Sequence, residues 1–258
     1  METKVRLIDL SLPIRNYSME GLNFSPQIVY WDAKETARRR CGPHGINPKD
    51  IPGGIHLYTE WASLSTHSGT HVDAPLHYGP TSEGRPARSI DQVPLEWLYG
   101  NGVVLDLTHK GPGELIKAED VKAALAKIGY GLKPKDIVLI RTDASKHFDE
   151  PAFDTISPGM CRESVIWLLD QGIRTIGIDA NNFDVSDHYM AKRFKEGDWQ
   201  QWYQCHYLGR EREYIHLEKL ANLDQIPKPT GFQLALFPVK IEKGSGGWCR
   251  AVAIVPAD

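Results

Sequence analysis

No stretch of the 258 residues approaches the ~20 consecutive apolar positions of a membrane-spanning helix. Met1 to Arg15 carries Glu2 and Asp9 and no long apolar run, so no secretory leader is expected. Neither sign of charge dominates: 30 basic against 33 acidic residues leave a formal −3, which argues against a nucleic-acid backbone as partner. An acidic disordered chain is excluded as well, because 41% hydrophobic residues suffice for a core. Cysteine is scarce. Cys41, Cys161, Cys205 and Cys249 are separated by 120, 44 and 44 positions with no C-x-x-C pair. That is no disulfide framework, and reduced thiols acting as small buried hydrophobes in a cytoplasmic protein are expected. Repeats, low-complexity tracts and long linkers are also missing, so a single domain over residues 1–258 is expected.

Several catalytic signatures are absent too. Without G-x-S-x-G there is no nucleophile elbow, and no G-x-G-x-x-G follows a strand to hold a dinucleotide. Gly244-Ser245-Gly246-Gly247 lacks the Lys-Ser/Thr of a phosphate loop and reads as a hairpin turn between Phe232–Val239 and Cys249–Val255. Asp143 with Asp149, and Asp179 with Asp184, have nothing to order them as catalytic pairs.

The central part of the chain alternates strand and helix patterns. Val103 to Leu107, Asp136 to Arg141 and Arg174 to Asp179 are apolar runs of strand length. Ala118 to Ile128 places Val121, Ala124, Leu125 and Ile128 on one helical face. Ser157-Pro158 reads as the cap and first position of another helix, with Val165, Leu168 and Leu169 as its stripe and Gly172 beyond its end. This β-α-β-α-β order implies a partly parallel sheet. Val5 to Leu10, Ile55 to Ser65 and the two C-terminal runs add further strands, so an α/β (α+β) fold around a mixed sheet is expected. Residues 12–54 and 181–204 read as long irregular loops of the kind that form lids.

The densest chemistry lies in Ser65 to Tyr78, STHSGTHVDAPLHY. Ten histidines in the whole chain would put fewer than one in a window of this length, yet His67, His71 and His77 share it with Asp73. Imidazole and carboxylate are the donors a borderline divalent cation takes. The H-x-x-x-H spacing is not that of a helical zinc protease: Ser68 stands where its glutamate belongs, Gly69 and Pro75 flank the run, and Thr66, Thr70 and Val72 are β-branched. A turn at Ser68-Gly69 followed by an extended piece puts His71 and Asp73 on one face, because strand side chains alternate.

The run resembles the H-x-G-T-H-x-D-x-P-x-H signature of the cyclase-like metal-dependent hydrolases, the family of bacterial kynurenine formamidase and isatin hydrolase. Leu139-Ile140-Arg141-Thr142, Gly177-Ile178-Asp179-Ala180, Leu220 to Pro227 (LANLDQIP) and the N-terminal Ile8-Asp9-Leu10-Ser11 extend the resemblance along the chain. It implies a swivelling β/β/α fold, and His67, His71 and Asp73 as ligands of a divalent metal. His206 and Glu218, twelve residues apart before the N-L-D-Q segment, match the family's second site, so one or two ions, zinc or manganese, are implied. His77 matches the family's proton-shuttling histidine, with a fourth-ligand role as its rival. The implied reaction is hydrolysis of an amide, N-formyl or lactam bond of a small cyclic or aromatic substrate by metal-activated water. A lyase, cyclase or lactonase on the same scaffold, and a non-catalytic metal-binding protein, are the alternatives.

Tyr30 and Trp31 are candidates for stacking on the substrate. Tyr30-Trp31-Asp32-Ala33 nonetheless lacks the Pro and Gly of the W-P-G-D turn found in some members. Arg38, Arg39 and Arg40 are a charge run, more often a solvated face than an anion site. By analogy with the family a homodimer or larger homo-oligomer is expected, with neither a nucleic-acid nor a membrane partner.

Overall fold

A computed structural model describes residues 4–16 and 26–257. The chain divides into two compact units, Met1–Pro13 with Gly69–Asp258, and Ile14–Ser68. The strands in chain order are β1 (Val5–Asp9), β2 (Gln27–Trp31), β3 (Thr59–Ser63), β4 (His71–Asp73), β5 (Thr81–Ser82), β6 (Arg85–Pro86), β7 (Tyr99–Asp106) and β8 (Leu115–Ile116). They continue with β9 (Ile137–Arg141), β10 (Gly159–Met160), β11 (Thr175–Ile178), β12 (Ile215–Glu218), β13 (Phe232–Ala235), β14 (Gly246–Trp248) and β15 (Val252–Pro256). The α-helices are α1 (Ala33–Cys41), α2 (Pro75–Tyr78), α3 (Ala118–Ile128), α4 (Arg162–Asp170), α5 (Asp187–Lys195) and α6 (Gln204–Leu208).

The larger unit is built on one nine-stranded mixed sheet in the order β1-β15-β13-β7-β9-β11-β12-β4-β14. β7, β9, β11 and β12 run parallel at its centre, and the flanking pairs are antiparallel. The central strands are buried on both faces, which is why their sequences read as unbroken apolar runs. Alternate residues feed two cores. Val103, Leu105, Val138, Ile140, Ile176 and Ile178 pack toward α3 and α4, while Val104, Ile137, Leu139, Ile215 and Leu217 pack into the core on the opposite face.

The α3 span, β9 and β11 fall where the apolar patterns place them, and Gly172 past α4 has the expected left-handed φ of 85°. Ser157-Pro158 does not open a helix. The chain first forms β10, which pairs with β8, and α4 starts only at Arg162 after Cys161. Gly159 explains the detour: a Cβ there would lie 2.0 Å from Val185 N, so its missing side chain lets β10 press against the backbone of residues 184–185. The C-terminal runs do pair, β13 with β15, but the glycines are more than a turn. The chain reverses between Val239 and Trp248, joined by a 2.9 Å backbone bond, and Gly246-Gly247 already lies in β14 beside β4. A Cβ on Gly247 would meet Val239 O at 2.8 Å.

The segment 181–204 is not a continuous loop, since it contains α5 and the start of α6. Only Met190 of α5 is buried, so there is almost no apolar stripe to read. In the smaller unit β2 and β3 form an antiparallel pair, and residues 17–25 of the expected 12–54 loop lie outside the described residues. α1, inside that same stretch, owes its formation to polar chemistry. Asp32 accepts from the N–H groups of Lys34 and Glu35, and Glu35 pairs with Arg38 and Arg39 one turn on.

Gly159→Ala is expected to lower stability by about 1–3 kcal/mol through overpacking. A urea titration followed by far-UV circular dichroism checks it, and an unchanged midpoint would mean that β10 can retreat from residues 184–185.

Candidate active site

β4 enters the sheet from a glycine bend. Gly69 has φ 61°, a conformation that costs a side chain-bearing residue steric strain. Thr70 Oγ1 then accepts from Leu12 N (2.8 Å) and donates to the Lys219 carbonyl, tying the bend to β1 and β12. Beyond it His71 and Asp73 share one face, while Val72 points into the opposite core. Pro75 starts α2, which carries His77.

β12 lies antiparallel beside β4 in a register that sets His216 opposite Asp73 and Glu218 opposite His71. Ile215 and Leu217 alternate away into the apolar core. Four chemically active side chains therefore occupy adjoining positions of two paired strands. His71 Nε2 is 3.2 Å from Asp73 Oδ1 and 3.6 Å from Glu218 Oε2. His216 Nε2 is 2.9 Å from Asp73 Oδ2 and 3.5 Å from Glu218 Oε1. His206 reaches in from α6, with Nε2 3.7 Å from Asp73 Oδ2 and 3.8 Å from Glu218 Oε1. His77 Nε2 is 3.6 Å from Asp73 Oδ2, and its ring lies 5.4 Å from that of His206. His71, Asp73, His206, His216 and Glu218 are buried, whereas His77 is exposed.

The far side of each buried imidazole is held. His71 Nδ1 meets the Gly69 carbonyl at 2.9 Å, His206 Nδ1 meets Asp184 Oδ2 at 2.7 Å, and His216 Nδ1 meets the Tyr78 hydroxyl at 3.1 Å. Partners of this kind fix the ring and direct its other nitrogen inward. Asp184 also accepts from the backbone N–H groups of Cys205 and His206, so one carboxylate anchors both the start of α6 and its functional ring. Phe183 stacks on His216 with centroids 4.3 Å apart, and its N–H donates to Glu218 Oε1 (2.8 Å).

The electrostatics follow from this packing. Burial drives His71 toward its neutral form, against the pull of Asp73. Burial would also raise the pKa of Asp73, but the neighbouring His77, His71 and His216 hold it well below the usual carboxylate range. Glu218 is held down in the same way, chiefly by His216 against its own burial. For His216 burial again opposes charge, and the two carboxylates overcome it, lifting its pKa to about 9. Two ionised carboxylates packed this tightly among imidazole nitrogens make a nitrogen and oxygen donor set of the kind divalent cations take. His216 Nε2, fully buried with no acceptor in hydrogen-bond alignment, fits a cation at this point.

Within the larger unit the structure gathers His71, Asp73, His77, His206 and Glu218 of the expected set. His67 belongs to the smaller unit, where its N–H donates to Ser65 Oγ (3.2 Å). Tyr30 and Trp31 sit on β2 of that unit. Tyr30 is exposed, and Trp31 packs against Trp61 (5.7 Å) with the Arg39 guanidinium 4.2 Å over its ring. Sequence reasoning missed His216, Asp184 and Tyr78. A signal for His216 existed: in I-H-L-E the polar residues alternate with apolar ones, so His216 had to share the face of Glu218. Nothing local marks Asp184, whose role appears only when the loop after β11 meets α6. Among the described residues all four cysteines are free, and Cys41, Cys161 and Cys205 are buried. No described helix is long and apolar enough to cross a membrane.

Known proteins share this architecture. The cyclase family model matches residues 8–185. The isatin hydrolase of Roseibium aggregatum is 30% identical over 228 residues, 83% of this chain and 80% of its own. The kynurenine formamidase of Paracidovorax citrulli is 29% identical over 195 residues, 76% and 79% of the two chains. Among solved structures, isatin hydrolase A from Ralstonia solanacearum superposes with a TM-score of 0.74 at 26% identity, covering 97% of this chain and 92% of its own. The family match spans the whole run from His67 to His77 and well over half of the sequence. The chain belongs to the cyclase family.

Proposed function

We propose that this chain is a metal-dependent hydrolase that cleaves a non-peptide C–N bond, an amide, N-formyl or lactam linkage, in a small cyclic or aromatic substrate. One observation carries the reading: buried imidazoles and carboxylates of β4, β12 and α6 converge on a common point, with a single exposed imidazole, His77, at their edge. Names of the relatives, isatin hydrolase and kynurenine formamidase, point to the same bond class. We assign His67, His71 and Asp73 as the residues that would hold one divalent cation and His206 and Glu218 as those that would hold a second, with Asp73 available to either. Zinc and manganese both accept such donors. Held by these residues, a divalent ion would supply an acidified water and a Lewis acid for the scissile carbonyl.

The remaining chemistry falls to the chain. His77 takes the proton lost by the attacking water and returns it to the leaving nitrogen, a transfer suited to an imidazole, which can both accept and donate a proton. Its place beside the buried cluster but open to solvent lets it exchange protons between turnovers. Asp73, held ionised, keeps the His77 ring turned toward the cluster across 3.6 Å. Tyr30 and Trp31 are assigned to stacking on a planar substrate. Arg38 and Arg39 are engaged by Glu35 within α1, which leaves them little reach for a substrate carboxylate. We read the chain as one hydrolase domain with residues 14–68 as an insertion, working as a homodimer or larger assembly. The free cysteines suit a reducing compartment such as the cytoplasm.

Screening the metal-loaded protein against N-formyl aromatic amines, isatin-like lactams and lactones tests the bond class. Turnover of lactones alone would displace the amide reading. His77→Ala is expected to lower kcat by about 10²–10⁴-fold with metal content unchanged by elemental analysis, and loss of the metal would show that His77 is a ligand. Asp184→Asn preserves shape but removes the charge behind His206. It is expected to weaken metal affinity by roughly 10–100-fold, read by competition with a chromogenic chelator, with the far-UV spectrum unchanged.

A further inference from the structure

Asp73 and Glu218 each divide their two oxygens between two sets of imidazoles. Asp73 Oδ1 and Glu218 Oε2 face His71 Nε2 at 3.2 and 3.6 Å. The other pair, Asp73 Oδ2 and Glu218 Oε1, faces His216 Nε2 at 2.9 and 3.5 Å and His206 Nε2 at 3.7 and 3.8 Å. Donor atoms of Asp73, His206, His216 and Glu218 all lie within 4.8 Å of one another, and all four residues are buried. Ligands about 2.0–2.2 Å from a tetrahedral ion stand roughly 3.3–3.6 Å apart. The four edges on the His216 side, 2.9 to 3.8 Å, are centred on that separation without any ligand having to move far.

We infer that His216 is the fourth protein ligand of a closed cation position, formed with Asp73 Oδ2, His206 and Glu218 Oε1, while the His71 side remains the open position where substrate and water meet. The inference rests on the metal-centre reading above and deepens it by dividing the labour between the two positions. Closed, four-ligand sites hold structure, and sites with a vacant ligand position perform chemistry. An ion on the His216 side would fix the Asp73 and Glu218 carboxylates, and through them the geometry of the open side.

The surroundings of His216 favour a ligand over a simple hydrogen-bonding histidine. The Tyr78 hydroxyl donates to the Asp73 backbone carbonyl (3.5 Å), which leaves its oxygen to accept from His216 Nδ1 at 3.1 Å. With Nδ1 turned to the Tyr78 hydroxyl, Nε2 is the nitrogen directed at the two carboxylates, 2.9 Å from Asp73 Oδ2 and 3.5 Å from Glu218 Oε1. Stacking on Phe183 at an interplanar angle of 11° fixes the ring in this pose.

Cobalt is the probe. Wild-type protein, stripped by chelation and titrated with Co2+, is expected to bind two ions per chain, one giving the intense visible absorption of a four-coordinate site. His216→Gln is expected to retain one ion by elemental analysis and to lose the intense band. A variant that keeps both ions and the band overturns the assignment and reduces His216 to packing. Wild type with no bound cobalt would instead sink the metal-centre reading itself. Should His216→Gln fail to fold, proton NMR of the cobalt-loaded wild type and of Tyr78→Phe supplies the second measurement. A hyperfine-shifted, solvent-exchangeable ring proton that moves when the Tyr78 hydroxyl is removed supports ligation, and the absence of any such signal refutes it.

Discussion

The pairing of β4 with β12 sets His216 across from Asp73 and Glu218 across from His71, and the chemistry of the site depends on that register. A slip of one residue would turn all four side chains to the opposite face and drive Val72, Ile215 and Leu217 among the polar groups. The apolar residues prevent it, because each has a place in the core on the far side of the sheet. Hydrophobic burial on one face therefore sets the position of charge on the other. Concentrating two carboxylates there is costly, since removing an ion from water costs several kcal/mol even in a relaxed protein. The imidazoles offset part of that cost, which is the physical reason the pKa of His216 rises while those of Asp73 and Glu218 fall.

The parallel block β7-β9-β11-β12 supplies rigidity, and less regular pieces supply ligands. β4 is only three residues long, α2 four and α6 five. Each is held by contacts outside itself: Thr70 by the Lys219 carbonyl and Leu12, α2 through Tyr78, α6 by Asp184. Tyr78 also fills the space that a side chain on Gly209 would need, since a Cβ there would lie 2.0 Å from its ring.

How much of this was legible follows from where each signal resides. His71 and Asp73 could be read because two-residue alternation and the Gly69 bend are local properties. The α3 span could be read because its apolar stripe is continuous. α1 and α5 could not, because capping, ion pairs and one buried methionine hold them rather than an apolar face. The helix start at Ser157-Pro158 failed because a sound local cap signal was overridden by a tertiary demand, the close approach of Gly159 to residues 184–185. His216 was within reach of the alternation rule, and what concealed it was the apolar company of Ile215 and Leu217. Asp184 was out of reach, since only the folded chain brings it to His206.

The delivery of His206 by α6 has an evolutionary consequence. A five-residue helix has no stability of its own, and this one begins at Tyr203 in a left-handed conformation with φ 46°. Its ring is placed by Asp184, a residue of the loop that follows β11. Drift in that loop can retune the affinity and selectivity of the centre while every ligand stays the same. Paralogues with identical ligand sets can thus diverge in cation preference, and a comparison of ligands alone would miss the difference.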